Sequence, residues 1–206
     1  MNLLAVDTTG EALSLALRAR ERVFFFDKKL KAPHDETILL RIDSLLGRAQ
    51  LKLEDLDTIA VASGPGRFTG IRIGMAYAAV AAARLGIRAV AVSRLEAAAF
   101  KTPGKLVCVA LLGYREERLY QLFRRGRGTP RPAEKPAWVS QQVWPSIKAA
   151  LERRGAVIAE CETTAADLLA PVLFRLARRR IPKFEPLYIK PAGYERRESL
   201  AKRGPL

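Results

Sequence analysis

Apolar positions change their spacing repeatedly along the first half of the chain. Leu3 to Val6 is a continuous apolar run, Leu13 to Leu17 is broken only at Ser14, and Val23-Phe24-Phe25-Phe26 is apolar throughout. Short runs of this kind bounded by turn residues read as strands, the third a buried one. Three in series around the Asp7–Gly10 turn predict a meander. From about His34 to Gln50 the spacing turns helical, with Ile38, Ile42, Leu45 and Ala49 on one face and Leu39 and Leu46 beside it. A strand over Thr58–Ala62, a helix over about Thr69–Leu85 stopped by Gly86, and a strand over Ile87–Val92 follow. A further helix opens with Ser93-x-x-Glu96, the spacing of a capping box. Strands that alternate with helices across short crossovers favour parallel pairing in one sheet covered on both sides, so the class is α/β.

Lys101-Thr102-Pro103-Gly104 breaks the pattern and divides the chain into 1–102 and 103–206. Beyond it, Leu106–Leu112 and Arg118–Phe123 read as a hairpin, and Gly128 to Pro136 as a Pro-rich loop. A helix over about Gln141–Arg154 carries Pro145 in its first turn, where proline is tolerated. A short strand, Ala156–Ala159, and a helix over about Thr164–Arg179 complete a smaller second unit. From Ile181 the tail is Pro-rich and charged, and no structure is assigned past Tyr194.

The joint between the Thr58 strand and the Thr69 helix is the densest motif: Gly64-Pro65-Gly66-Arg67-Phe68-Thr69-Gly70-Ile71-Arg72-Ile73-Gly74. Gly64 and Gly66 free the backbone, Pro65 stiffens the turn, and Thr69 is placed to cap the helix. Two phosphate motifs fail on spacing. No Lys-Ser or Lys-Thr follows the glycines, and Gly64-x-Gly66-x-x-x-Gly70 misses the dinucleotide fingerprint by one residue.

Composition narrows the classes. An apolar content of 49% over 206 residues suits a folded protein with a sizeable core. Leu3 to Val6 is too short and lacks the basic flank of a secretory leader, and Met75 to Ala83, the longest uninterrupted apolar run, falls far below the ~20 residues of a membrane span. Cys108 and Cys161 lie far apart without metal-ligand spacing, which suits an unpaired pair of thiols and a cytoplasmic protein. The net charge of +15, from 36 Lys and Arg against 21 Asp and Glu, favours polyanions such as RNA, unless it reflects composition alone. Arg124-Arg125-Gly126-Arg127 and Arg178-Arg179-Arg180 lack interleaved aromatics and fit sequence-blind contact at most.

The glycine-rich joint closely resembles the signature of the TsaB (YeaZ) proteins, the non-catalytic relatives of TsaD in bacterial synthesis of threonylcarbamoyladenosine on tRNA. Leu3 to Ala12, His34-Asp35-Glu36-Thr37-Ile38-Leu39-Leu40 and Ser93-Arg94-Leu95-Glu96-Ala97 resemble the family's opening strands and two helix starts in order and spacing. Glu185-Pro186-Leu187-Tyr188-Ile189-Lys190-Pro191 resembles its tail segment. Leu112-Gly113-Tyr114 departs from it, standing where the family has Asp-Ala-Arg. The resemblance implies an actin-like, ribonuclease-H-like (ASKHA) two-lobe fold with a reduced second lobe.

It further implies a scaffold, not an enzyme, that activates TsaD for threonylcarbamoyl transfer to N6 of adenosine 37 in ANN-decoding tRNAs. Implied partners are TsaD, with TsaE in a nucleotide-dependent complex, a second copy of the chain when TsaD is absent, and tRNA indirectly or by weak electrostatic contact. No membrane is implied. Catalytic residues, metal and cofactor are expected to be absent, since His34 is the single histidine and no His-Glu-x-x-His exists. Asp7 and Thr8, at the place of a first phosphate hairpin, are either a vestigial nucleotide contact or an Asp-led turn bonding its own backbone. The near all-round apolar helix after Thr69 points to a partner interface at Ile38, Leu39, Ile42, Gly70, Gly74, Met75 and Ala78. The alternatives are an ATP-dependent enzyme of the ASKHA superfamily or a glycoprotease-like metallopeptidase homologue.

Overall fold

Residues 1–113, 116–126 and 129–189 are described by the computed structural model. Strands β1 (Leu3–Asp7), β2 (Ala12–Ala19) and β3 (Arg22–Lys29) form the expected meander, and β4 (Thr58–Gly64) and β5 (Arg88–Ser93) extend it in the order β3-β2-β1-β4-β5. Pairing is antiparallel across β1–β2–β3 and parallel across β1–β4–β5. Helices α1 (His34–Arg48) and α2 (Phe68–Leu85) cover one face of this sheet.

Alternation within β1 explains why Leu3–Val6 is apolar throughout. Leu4 and Val6 meet Ile38, Ile42, Leu45, Ile71 and Met75 of the two helices, while Leu3 and Ala5 join a separate core on the opposite face. That second face is covered by a 3-10 turn at Ala165–Leu168 and by α5 (Leu169–Ala177), with Ala97 of α3 (Arg94–Lys101). A strand buried on both sides favours apolar residues along its length, and Asp7 at its end is buried with partners of its own.

β3 corrects one expectation. It is an edge strand, not a buried one: Phe24 and Phe26 lean on the helical core, while Phe25 is 65% exposed and Val23 46% exposed. Four consecutive apolar residues concealed an alternation, because nothing packs on the outer face of this edge.

A second sheet, β10-β6-β7-β8, contains β6 (Leu106–Leu112), β7 (Arg118–Arg125), β8 (Pro130–Pro132) and β10 (Val157–Glu160), with β9 (Ala137–Val139) also paired to β7. Val107, Val109, Leu111 and Phe123 pack on Leu95, Ala98 and Ala99 of α3. Cys108, Ala110 and Leu122 face Trp144 and Leu151 of α4 (Trp144–Arg153). Helix α3 therefore lies between the sheets and touches both, so burial of its small side chains joins the two lobes. The sheets fall on either side of residues 102–105, whereas α5, from the later half, packs on the first. The architecture is the two-sheet α/β, actin-like and ribonuclease-H-like fold.

Several boundaries shift for local reasons. The α2 N-cap is Arg67, not Thr69, and its side chain makes no capping bond. Gly86 ends the same helix at φ 65°, the left-handed conformation that glycine adopts freely. Ser93 caps α3 by accepting from the Leu95 amide at 3.2 Å, but Glu96 turns away to Arg175 and closes no capping box. The Pro-rich loop contains β8, an edge strand at which Pro130 and Pro132 leave the ladder on its open side. Past the helices, residues 181–189 run back across the molecule without regular structure, with Ile181, Phe184 and Ile189 each leaning on a different core.

Candidate functional site

The turn after β1, Asp7-Thr8-Thr9, is fully buried and is the point on which the glycine-rich joint closes. Asp7 Oδ1 accepts from the Thr9 amide at 2.8 Å and from the Thr9 hydroxyl at 2.6 Å. This is the Asp-led turn bonding its own backbone, one of the two readings left open by the sequence. The Thr8 hydroxyl donates to the Gly70 carbonyl at 2.6 Å, and the Arg67 amide donates to the Thr9 carbonyl at 2.8 Å.

These bonds hold the first turn of α2 directly against the β1 turn. A Cβ at Gly70 would stand 2.1 Å from the Thr8 carbonyl oxygen, and one at Gly74 would stand 2.6 Å from the Thr8 hydroxyl. No side chain fits at either position. The glycines thus bring backbone to backbone, with α2 packed on the Thr8 carbonyl and hydroxyl of the turn.

Arg94 completes the closure. Its Nε lies 3.5 Å from Asp7 Oδ2 and donates to the Thr163 hydroxyl at 2.8 Å; Nη1 donates to the Pro65 carbonyl at 3.2 Å and Nη2 to Glu162 at 3.0 Å. One guanidinium joins the β1 turn, the glycine joint and the segment before α5. With 7% and 5% of their side chains exposed, Arg94 and Asp7 satisfy one another where either alone would be a costly buried charge. Behind them, Arg175 of α5 donates to Glu96 at 2.5 Å and to the Ala91 carbonyl at 2.7 Å. Burial nonetheless lifts the Glu96 carboxyl above the usual glutamate range, with Arg175 opposing the shift.

Sequence reasoning missed Arg94 and Arg175. Arg94 carried one readable sign: a cation in the first turn of a helix faces the positive end of the macrodipole, a placement that calls for a carboxylate partner.

His34 sits at the start of α1 and faces the same turn, with Nδ1 3.2 Å from the Thr8 carbonyl and Nε2 3.3 Å from the Glu11 carbonyl. Among the described residues no group of three or more His, Cys, Asp or Glu is placed to hold a metal ion. Cys108 is no nucleophile, because burial, with Glu134 and Glu160 adding to it, pushes its thiol up to about 12 and leaves it protonated. In the Leu112-Gly113-Tyr114 segment, Leu112 ends β6 and is exposed, while Tyr114 lies outside the described residues, as do Arg127, Lys190, Pro191 and Tyr194.

Of the seven residues expected at a partner surface, Ile38, Ile42, Gly70, Gly74, Met75 and Ala78 are buried within the chain, and Leu39 is 60% exposed. The sequence also passed over Leu40, 63% exposed beside Leu39, and Val80, 71% exposed on the outer side of α2. The Phe68 ring, at the start of that helix, meets the Arg72 guanidinium at 3.9 Å and the tilted Tyr188 ring at 4.9 Å. Leu187 donates its amide to the Ser63 carbonyl at 2.7 Å, so the tail segment is tied to the joint. Among the described residues no helix is long and apolar enough to cross a membrane.

Comparison with known proteins matches residues 28–163 to the family described as TsaD, tRNA N6-adenosine threonylcarbamoyltransferase. The tRNA threonylcarbamoyladenosine biosynthesis protein TsaB of Haemophilus influenzae is 33% identical over 123 residues, 58% of this chain and 52% of that protein. Its counterpart in Bacillus subtilis is 38% identical over 97 residues, 47% of this chain and 42% of that one. The chain thus spans about half the length of the curated relatives it matches. The solved structure of YeaZ from Pseudomonas aeruginosa superposes with a TM-score of 0.73 at 26% identity, over 91% of this chain and 100% of that chain. A second Pseudomonas aeruginosa structure, of a protein with similarity to peptidase YeaZ, gives 0.76 at 26% identity over 92% and 99%. With its glycine joint, its fold and these matches in agreement, the chain belongs to the TsaB (YeaZ) proteins of the TsaD family.

Proposed function

We propose that the chain is a non-catalytic subunit that binds TsaD and activates it for threonylcarbamoyl transfer to N6 of adenosine 37 in ANN-decoding tRNAs. The observation that carries this reading is the closed β1 turn. Asp7 is spent on Thr9 and Arg94, and the glycines of α2 pack against the Thr8 carbonyl and hydroxyl. A chain whose equivalent of a phosphate hairpin is built into its core contributes by binding, not by turnover. The partner surface is the outer side of α1 and α2, where Leu39, Leu40 and Val80 stand exposed and the buried residues below fix its shape. Large exposed apolar side chains on neighbouring helices are the usual mark of a docking face.

TsaD occupies this surface, with TsaE joining in the presence of nucleotide, and a second copy of the chain covers it when TsaD is absent. The peptidase reading finds no support in the donor set, since the single histidine is turned onto backbone carbonyls. The test is co-purification with TsaD, with and without ATP, beside ATP hydrolysis and metal content of the isolated chain. A stable complex with no hydrolysis by this chain supports the reading. ATP turnover that disappears in Asp7→Ala, with Asp7→Asn checked for folding, overturns it.

A further inference from the structure

We propose that the concavity at the β7–β8 edge docks the phosphate backbone of RNA; the proposal rests on the tRNA-modification reading above and adds a second contact surface to it. The hollow has a volume of about 760 Å³ and is lined by Arg124, Arg125, Arg131 and Arg178, with Thr129 and Pro132 among the remaining wall. Arg124 of β7 stands directly opposite Arg131 of β8 in the antiparallel register. Side chains paired in this way emerge on one face about 5 Å apart, and like charges there oppose strand pairing. Arg178, just past α5, holds its guanidinium 5.0 Å over the Phe174 ring. Arg125 is anchored by donation to the Ala99 and Thr102 carbonyls at the end of α3, at 2.7 and 2.8 Å.

Arg94, Arg154 and Arg175 each meet a carboxylate. Among the described residues no carboxylate lies within ion-pair distance of Arg124, Arg131 or Arg178. An uncompensated pair set face to face, with two further guanidiniums around one hollow, is relieved by an anion with several oxygens, and guanidinium forks fit phosphate.

The observations favour a polyanion with its own groove over a membrane surface. The wall is concave, and Gly126, Thr129, Pro132 and Ala133 offer no large apolar side chain to enter lipid. Among the described residues no aromatic ring lines it either, so bases are not stacked and the contact is sequence-blind. The net charge of +15 draws such a ligand in.

The test uses the purified full chain and a fluorescent, unmodified tRNA transcript, with anisotropy followed between about 50 and 200 mM salt. The variant R124E/R131E should bind at least about tenfold more weakly and lower the salt slope by about two, one per lost phosphate contact. A control, R22E/K28E on β3, carries the same change in net charge and should bind as the unaltered chain does, apart from a small uniform loss. R124E alone turns the repulsive cross-strand pair into an attractive one, so its melting temperature should rise while RNA affinity falls. Equal losses in the control and in R124E/R131E, or binding of phosphatidylglycerol vesicles in preference to the transcript, overturn the proposal. Activation of TsaD by R124E/R131E in the absence of any RNA defect would sink this inference alone. RNA binding that depends on the arginines in a chain that does not activate TsaD would sink the functional reading alone.

Discussion

Along its inner side α2 presents Gly70, Ile71, Gly74, Met75, Ala78 and Ala82 to the first sheet and the Asp7–Thr9 turn, whereas along its outer side Arg72, Ala76, Val80 and Arg84 face solvent at intervals of one turn. The inner side holds most of the recognisable motif, and its glycines serve close approach between α2 and β1. The outer side contributes only Arg72 to it, and that guanidinium lies over the Phe68 ring. A signature so dense suggests a site, but here its physical content is packing. In the function proposed above, partner binding falls to residues such as Leu39, Leu40 and Val80, which any apolar residue of similar size could replace.

The sharpest way to break this contrast is Gly70→Val. A side chain cannot enter a 2.1 Å gap to a backbone oxygen, so the cost should exceed the about 3 kcal/mol of ordinary overpacking and leave little folded protein by circular dichroism. Normal folding with lost TsaD binding would move Gly70 from core to interface. Arg94→Ala comes next. It strands the buried Asp7 carboxylate, and denaturant titration should show a loss of about 3 kcal/mol, less if Asp7 is also changed to Asn. Independent, additive effects of the two substitutions would show that the pair is not coupled.

On the outer side the expectation reverses. Leu39→Asp with Val80→Asp should leave stability within about 0.5 kcal/mol for each exposed position, while weakening TsaD binding by tenfold or more, about 1.4 kcal/mol. Unfolding of this variant would place those residues in the core instead.

The smallest effect concerns pH. A carboxyl whose folded pKa is raised, as at Glu96, keeps its proton to higher pH in the native chain than in the unfolded one. Its stabilising contribution is therefore fully present below the unfolded value and is lost as pH rises through the folded value. Glu96→Gln should gain in melting temperature relative to the unaltered chain as pH goes from about 4 to about 7. A gap that stays constant with pH would show that Arg175 cancels the burial.

Much of the architecture was legible because burial imposes periodicity. The continuous run of β1 and the helical spacing of Ile38, Ile42 and Leu45 both follow from which faces are covered. Legibility failed where tertiary context decides. The Phe24–Phe26 run reads the same whether one face is covered or two, and β8 hides in a Pro-rich loop because an edge strand needs only half its backbone bonds. Asp7 was readable as a turn residue from its local sequence. Its partner Arg94 was not, since 87 positions separate them and neither carries a spacing that names the other. The all-round apolar pattern of α2 points to a partner surface at Gly70, Gly74, Met75 and Ala78, extended to Ile38 and Ile42 of α1, but a sheet on one side and mostly small side chains on the other give the same pattern.

The central claim is that this chain activates a partner without doing chemistry. It is tested most directly by incorporation of labelled threonine into an unmodified ANN-decoding tRNA transcript, with ATP, bicarbonate and the enzyme that makes the threonylcarbamoyl donor supplied. The account predicts modified tRNA only when TsaD and this chain are both present, none with this chain alone, and a sharp drop with the Leu39→Asp, Val80→Asp variant. Transfer by this chain alone, or a TsaD rate that does not change on adding it, would contradict the account.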